Sequence, residues 1–206
     1  MEKLLAFLLS ALMLLSFVGC GAPKKDYAAL TESIVTETTD ITEITEDNKI
    51  KLDIFPLEFS FMTGIGGWAT ILEISEDLTF SGTFHDSNLG ECDEVNYPNG
   101  TVYVSNFEGT FEVAEQINEY TYKVNFKNLT LDKETNLEWV VDGIRYVSSE
   151  AYGLGGNDYT LYMPNTPVSV LPEDIIYWAI GRLDGKEFLG CYCIYNESEY
   201  TAFFTY

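Results

Sequence analysis

From Trp68 onward the chain alternates apolar and polar residues with a period of two. Trp68, Thr70, Leu72 and Ile74 fall on one side of an extended segment. After the turn Ser75-Glu76-Asp77, the residues Leu78, Phe80, Gly82 and Phe84 continue an inner face, with Thr79, Ser81, Thr83 and His85 outside. Only a strand sends successive side chains to opposite sides, so the pattern demands a sheet with one buried face. Longer runs follow at 101–113 and 119–132. Each changes parity midway: Val102 and Val104 give way to Phe107, Phe111 and Val113, and Tyr120, Tyr122, Val124 and Phe126 give way to Leu129 and Leu131. One extra residue that flips the inward side is the signature of a β-bulge. Further strands are expected at 137–147, 158–163, 186–195 and 200–206, with Asp142-Gly143 as a tight turn. One short helix is expected at 172–180, where Pro172, Glu173 and Asp174 favour a helix start. Long, bulged antiparallel strands suit an all-β fold, a closed or partly closed up-and-down barrel with one short helix; a β-sandwich is the alternative.

Charge narrows the partners. Residues 50–206 carry seven basic and 25 acidic side chains, a balance of −18, and the whole chain stands at −22. Such a surface repels phosphate backbones, which excludes nucleic acid as a partner. A hydrophobic fraction of 46% is enough for a core, so wholesale disorder is excluded for the chain.

The beginning of the chain has a different character. Lys3 precedes an apolar run from Leu4 to Val18, too short to span a bilayer, which needs roughly 20 residues. A short apolar run with a charged start and a small residue at its end reads as a signal peptide, residues 1–19. Phe17-Val18-Gly19-Cys20 resembles the lipobox of bacterial lipoproteins. The resemblance implies that Cys20 receives a diacylglycerol and becomes the new N-terminus. It also implies an anchored protein on the extracytoplasmic side of the cell membrane, and the long acidic, Thr-rich stretch after Cys20 is similar to Gram-positive surface lipoproteins. Residues 20–49 then read as the lipidated Cys and a disordered tether, because Thr and acidic residues alternate there. Between Asp26 and Asn48 there are seven acidic residues and no basic ones. Such a segment cannot bury enough apolar surface to offset its ordering entropy. Residues 50–206 form the folded domain.

Gly66-Gly67-Trp68 at the opening of a long strand is similar to the start of calycins, the lipocalins and their relatives. That likeness implies an eight-stranded barrel with an indole across its floor. The Arg that covers the indole in that family is absent, since no basic residue follows Lys186. The wider string, from Gly66-Gly67-Trp68 through Phe84-His85-Asp86-Ser87 to Tyr97-Pro98-Asn99-Gly100, is similar to uncharacterised Firmicutes surface lipoproteins. It implies an anchored β-domain and brings no activity with it.

No motif fixes a chemistry. Asp86, Asn88, Asp93 and Glu94 crowd one loop and are oxygen ligands of the kind that Ca²⁺ takes, but the spacing departs from a calcium loop and no cofactor is expected. His85, Asp86 and Ser87 are adjacent on a strand and point alternately to opposite sides, so they make no triad. No catalytic residue is assigned, and the chain is read as a non-enzyme. Cys92 could bridge to Cys191 or Cys193, or all three could be buried thiols. Tyr152-Gly-Leu-Gly-Gly156 lacks the residues of a phosphate loop and reads as a turn that needs positive φ. Tyr97, Tyr152, Tyr159 and Trp178 are the candidates for contact with a small molecule, a glycan or a protein. The expectation is an anchored binding or interaction module, with a pocketless structural or inhibitory lipoprotein as the alternative and an extracellular carboxylate-based hydrolase third. An open interior cavity favours the first, and a filled barrel the second.

Overall fold

The computed structural model describes residues 50–64 and 66–205, so the expected signal peptide, Cys20 and the tether lie outside the described residues. Ten strands form: β1 (Leu57–Met62), β2 (Trp68–Ile74), β3 (Thr79–Asn88), β4 (Thr101–Asn118), β5 (Thr121–Leu131), β6 (Glu138–Val141), β7 (Ile144–Ser148), β8 (Tyr159–Tyr162), β9 (Cys193–Asn196) and β10 (Thr201–Phe204). Eight of them, β1-β2-β3-β4-β5-β8-β9-β10, close into an antiparallel barrel, sealed where Ser60 of β1 meets Phe204 of β10. A closed barrel forms, and the sandwich alternative does not. The β6–β7 hairpin branches off it, with β7 parallel to the first residues of β4. Its turn is the expected Asp142-Gly143, both residues at positive φ (52° and 73°).

Antiparallel order gives the barrel two distinct ends. Strand direction puts the connections 63–67, 89–100, 132–158 and 197–200 at one end, here called the mouth. The first residues of β1, the turns 75–78 and 119–120 and the last residues of β10 lie at the other, the base. The base is closed by the chain that leads into β1. Ile50, Leu52, Ile54 and Phe55 pack against the core, and Phe55 stands edge-on to Phe111 at 5.4 Å.

The period-two pattern is realised in the core. Leu72, Ile74, Phe80 and Phe107 are buried in one cluster with Phe59, Phe61, Phe111, Val124, Leu161, Ile194 and Phe203. Two glycines make room for the largest rings. Gly82 lies opposite Phe107 in the β3–β4 register and Phe80 opposite Gly109. A Cβ on Gly109 would meet the Phe80 ring at 2.6 Å, and one on Gly82 would collide with Phe107. Phenylalanine over glycine fills the strand's own gap and lets the sheet curl tightly.

The β5 bulge is where the parity change located it. The β4–β5 register slips between Thr110–Lys127 and Glu108–Thr130, and Asn128 takes φ 56°. The inward residues accordingly shift from Tyr122 and Val124 to Leu129 and Leu131. The expected flip in β4 needs correction. Thr101, Ser105, Phe107, Phe111 and Val113 are all buried on one parity, while Val102 and Val104 are half-buried on the other face. Short polar residues point inward in the upper part of β4, and Val102 and Val104 belong to the stretch that also pairs with β7.

The helix is α1 (Glu173–Trp178), preceded by a 3₁₀ turn at Val168–Val170. Pro172 sits at its N-cap, with Glu173 and Asp174 in the first turn. It flanks the barrel rather than plugging it. Ile175, Ala179, Leu171, Leu183 and Leu189 cover Cys193, Tyr195, Ala202 and Phe204 on the outside of β9 and β10. The alternate residues Ile194 and Phe203 belong to the inner core. Burial on both sides explains why these short strands read as continuous apolar runs. Among the described residues no helix is long and apolar enough to cross a membrane.

Candidate functional site

The mouth of the barrel is stoppered by the chain's own loop. After Ser149, whose N–H donates to the Val104 carbonyl, residues 151–154 turn inward, and Ala151, Gly153 and Leu154 are buried. Gly153 takes φ 85°, and a Cβ there would meet Phe61 at 2.8 Å and Phe203 at 3.0 Å, so only glycine fits. A loop inside an apolar barrel has carbonyls without strand partners, and each needs a donor. Thr70 Oγ1 donates to the Tyr152 carbonyl (2.8 Å). Asn196 Nδ2 donates to the carbonyls of Gly153 (3.0 Å) and Gly155 (2.7 Å). Thr201 Oγ1 adds a bond to Gly153 (3.1 Å), and the Tyr159 hydroxyl reaches the carbonyls of Leu154 (2.7 Å) and Gly155 (2.9 Å). Polar residues on inward-facing positions of β2, β8, β9 and β10 thus act as clamps for the stopper.

Over this stopper lies a cleft of about 730 Å³, within the few hundred to 1,000 Å³ typical of small-ligand sites. Its apolar lining comes from Phe84 on β3, Leu129 and Leu131 on β5, Leu154 in the stopper, and the rings of Tyr152 and Tyr200. Ser149, Glu150, Ser198 and Glu199 supply the polar lining. The barrel interior below is packed with the aromatic core, so the cavity sits at the mouth and not inside the barrel. Beside it Phe61 makes edge contacts with Trp68 (4.8 Å) and Trp178 (4.7 Å), and Trp68 stands edge-on to Tyr152 (5.3 Å). The indole of Trp178 is tied down by its N–H donating to the Tyr200 carbonyl (2.7 Å).

The residues singled out from the sequence separate clearly. Tyr152 is 49% exposed and lines the cleft. Trp178 stands in the aromatic group next to it. Tyr159 is not part of the cleft lining. It is 1% exposed, its hydroxyl is spent on the stopper, and burial foremost, then the charge of Glu199, pushes its phenol well above the usual range. Tyr97 lies outside the cleft, its ring under the Arg145 guanidinium at 4.8 Å. Phe84, Leu129, Leu131, Glu150, Glu199 and Tyr200 were not singled out as site residues. Their alternation marks the first three as core, and the others sit in short turns without a distinguishing pattern.

The loop 89–100 is built around Arg145. Arg145 pairs with Glu91, lies 3.8 Å from Glu138, and donates from Nε to Thr101 Oγ1 (3.2 Å). The Tyr103 hydroxyl also donates to Glu91 (2.9 Å). The four calcium candidates are not drawn together. Asp93 accepts from the backbone of Asn96 (2.7 Å) and Val95 (3.0 Å), bonds that hold its carboxyl below the ordinary value. Asn88 Oδ1 accepts from the Gly90 N–H, Glu94 is exposed, and Asp86 is half-buried on β3. Among the described residues no three His, Cys, Asp or Glu side chains converge as a metal site. Arg145→Ala is expected to speed amide exchange across 89–100 several-fold while leaving β2 protected, as read by hydrogen–deuterium exchange.

His85 is exposed, on the opposite side of β3 from Asp86. The three cysteines are free. Cys92 is exposed in a mouth loop, whereas Cys191 and Cys193 lie where β9 begins, at the base. The bridge from Cys92 is therefore not made, and Cys92 is not the buried thiol of the alternative expectation either. Comparison with protein-family models, with curated proteins and with solved structures finds no match.

Proposed function

We propose that this chain is a lipid-anchored extracytoplasmic binding module whose site is the cleft over the stopper. The observation that carries the reading is the placement of that cleft. It opens at the mouth, while the chain enters the barrel at the base. A lipid on Cys20 would be joined to the domain through the strand that starts at the base, the end opposite the cleft. Two acyl chains supply stable anchoring at about 0.8 kcal/mol per buried CH₂.

Two measurements test this. Cys20→Ala is expected to move the protein from the membrane fraction to the medium; unchanged membrane partition overturns the anchor. The neutral dye Nile red is expected to bind the native protein with enhanced, blue-shifted emission. Ser198→Trp, which fills the cleft from its exposed rim, is expected to abolish most of that signal. The filled interior favours the pocketless structural or inhibitory reading instead, and absence of dye uptake by the native protein would support it.

A further inference from the structure

Resting on that reading of the cleft as a ligand site, we infer that it selects organic cations, an ammonium or guanidinium group carried on an apolar or aromatic body. The lining contains two carboxylates, Glu150 and Glu199, and no Lys, Arg or His. Neither carboxylate belongs to any of the ion pairs among the described residues. The basic side chains in those pairs are engaged elsewhere: Lys51 with Asp53, Lys123 with Asp158 and Glu197, Lys127 with Glu112, Lys133 with Asp132, and Arg145 with Glu91 and Glu138.

The fold holds one of the carboxylates in place. The backbone N–H of Glu199 donates to Asn196 Oδ1 (3.3 Å), and its side chain occupies the space that a Cβ on Gly155 would fill. A cleft with low-dielectric walls and unneutralised acids focuses a negative potential, and the domain's balance of −18 adds to it. Tyr152 and Tyr200, 49% and 62% exposed, offer ring faces, which attract cations as well as apolar groups. Phe84, Leu129 and Leu131 receive the ligand's body. An anion meets only repulsion here, and a neutral ligand gains nothing from the acids.

The experiment uses the full-length protein and three probes of one shape, phenethylammonium, 2-phenylethanol and 3-phenylpropanoate, each titrated against bound Nile red. The ammonium is expected to displace the dye at about a tenfold lower concentration than the alcohol, which corresponds to a modest charge-assisted contact, and the carboxylate is expected not to displace it. Glu199→Gln and Glu150→Gln, both at exposed positions, are expected to shrink the ammonium's advantage over the alcohol, and raised salt is expected to do the same. Equal displacement by the ammonium and the alcohol, or displacement by neither while the dye still binds, overturns the cation selectivity and leaves the cleft standing. Failure of the dye itself to bind overturns the cleft reading beneath it.

Discussion

Asn196→Ala is expected to destabilise the domain by about 3 kcal/mol and to free the stopper from the barrel mouth. Asn196 is fully buried and uses its whole hydrogen-bonding capacity. Its amide donates to Gly153 and Gly155, and its oxygen accepts from the N–H groups of Ser198 (3.0 Å) and Glu199 (3.3 Å). Truncation leaves both N–H groups short of an acceptor and weakens both carbonyls. The loss is limited because Gly153 keeps Thr201 and Gly155 keeps Tyr159. The shift is read as a lower urea midpoint at unchanged slope, and a loss under about 1 kcal/mol would mean that the stopper is held by packing alone. Asn196→Asp sharpens the test. An ionised carboxylate there would face two carbonyls in a buried site, so its folded-state pKa must rise above the ordinary value near 3.9. Between those two values the folded state binds more protons than the unfolded state, and stability falls as pH rises. The variant's deficit relative to the parent is therefore expected to be larger at pH 7 than at pH 4.

The legible parts of the fold are those where one physical constraint writes one pattern. Leu72 to Ile74 and Phe80 to Phe84 each have a single buried side, and alternation reports it directly. The bulge at Asn128 is legible because apolar residues on both sides of it reveal the slip. In β4 the same logic misleads, because Thr101 and Ser105 point inward and the valines outward, so apolarity no longer marks the core side. The strand β1 was not anticipated, although Leu57, Phe59 and Phe61 alternate with Glu58, Ser60 and Met62. Cys193 to Asn196 and Thr201 to Phe204 carry no alternation because α1 buries their second side.

Barrel closure depends on which edges meet, and no single strand's pattern encodes that. The cleft is harder still, since it gathers Phe84, Leu129, the 149–155 loop and the 198–201 turn from remote parts of the chain. Tyr152 and Tyr159 show the limit. They are seven residues apart and chemically identical, yet one lines the cleft and the other clamps the stopper, because only the second is carried inward at the start of β8. The glycine-rich stretch read correctly as a loop with positive φ, but its entry into the barrel depends on Thr70, Asn196 and Thr201, whose types alone announce nothing.

Alkaline pH is expected to unfold this domain through three tyrosines. Burial foremost raises the phenols of Tyr159, Tyr162 and Tyr195. Tyr162 is pushed up to about 12, with Glu197 as the second cause, and Tyr159 and Tyr195 go higher. Tyr195 is also held protonated by donating to Asp174 at 2.9 Å. In the unfolded chain a phenol titrates near 10, so above that pH the unfolded state sheds protons that the folded state keeps. Stability contributed by these groups is complete below pH 10 and is lost as pH rises toward the folded values. Each group costs at most about 1.4 kcal/mol per pH unit, so the three together remove about 3 kcal/mol between pH 10 and 11 and more beyond. Against a domain stability on the order of 5–15 kcal/mol, the transition is expected above pH 11. Phenolate absorbance of these residues should appear together with the loss of near-ultraviolet circular dichroism, as one cooperative step. Tyr159→Phe is the internal control: it lowers stability at neutral pH by removing the bond to Leu154, yet it removes about a third of the alkaline slope. Full phenolate formation near pH 10 in a domain that keeps its native dichroism would show that these hydroxyls are open to solvent, and the clamped stopper would go with them.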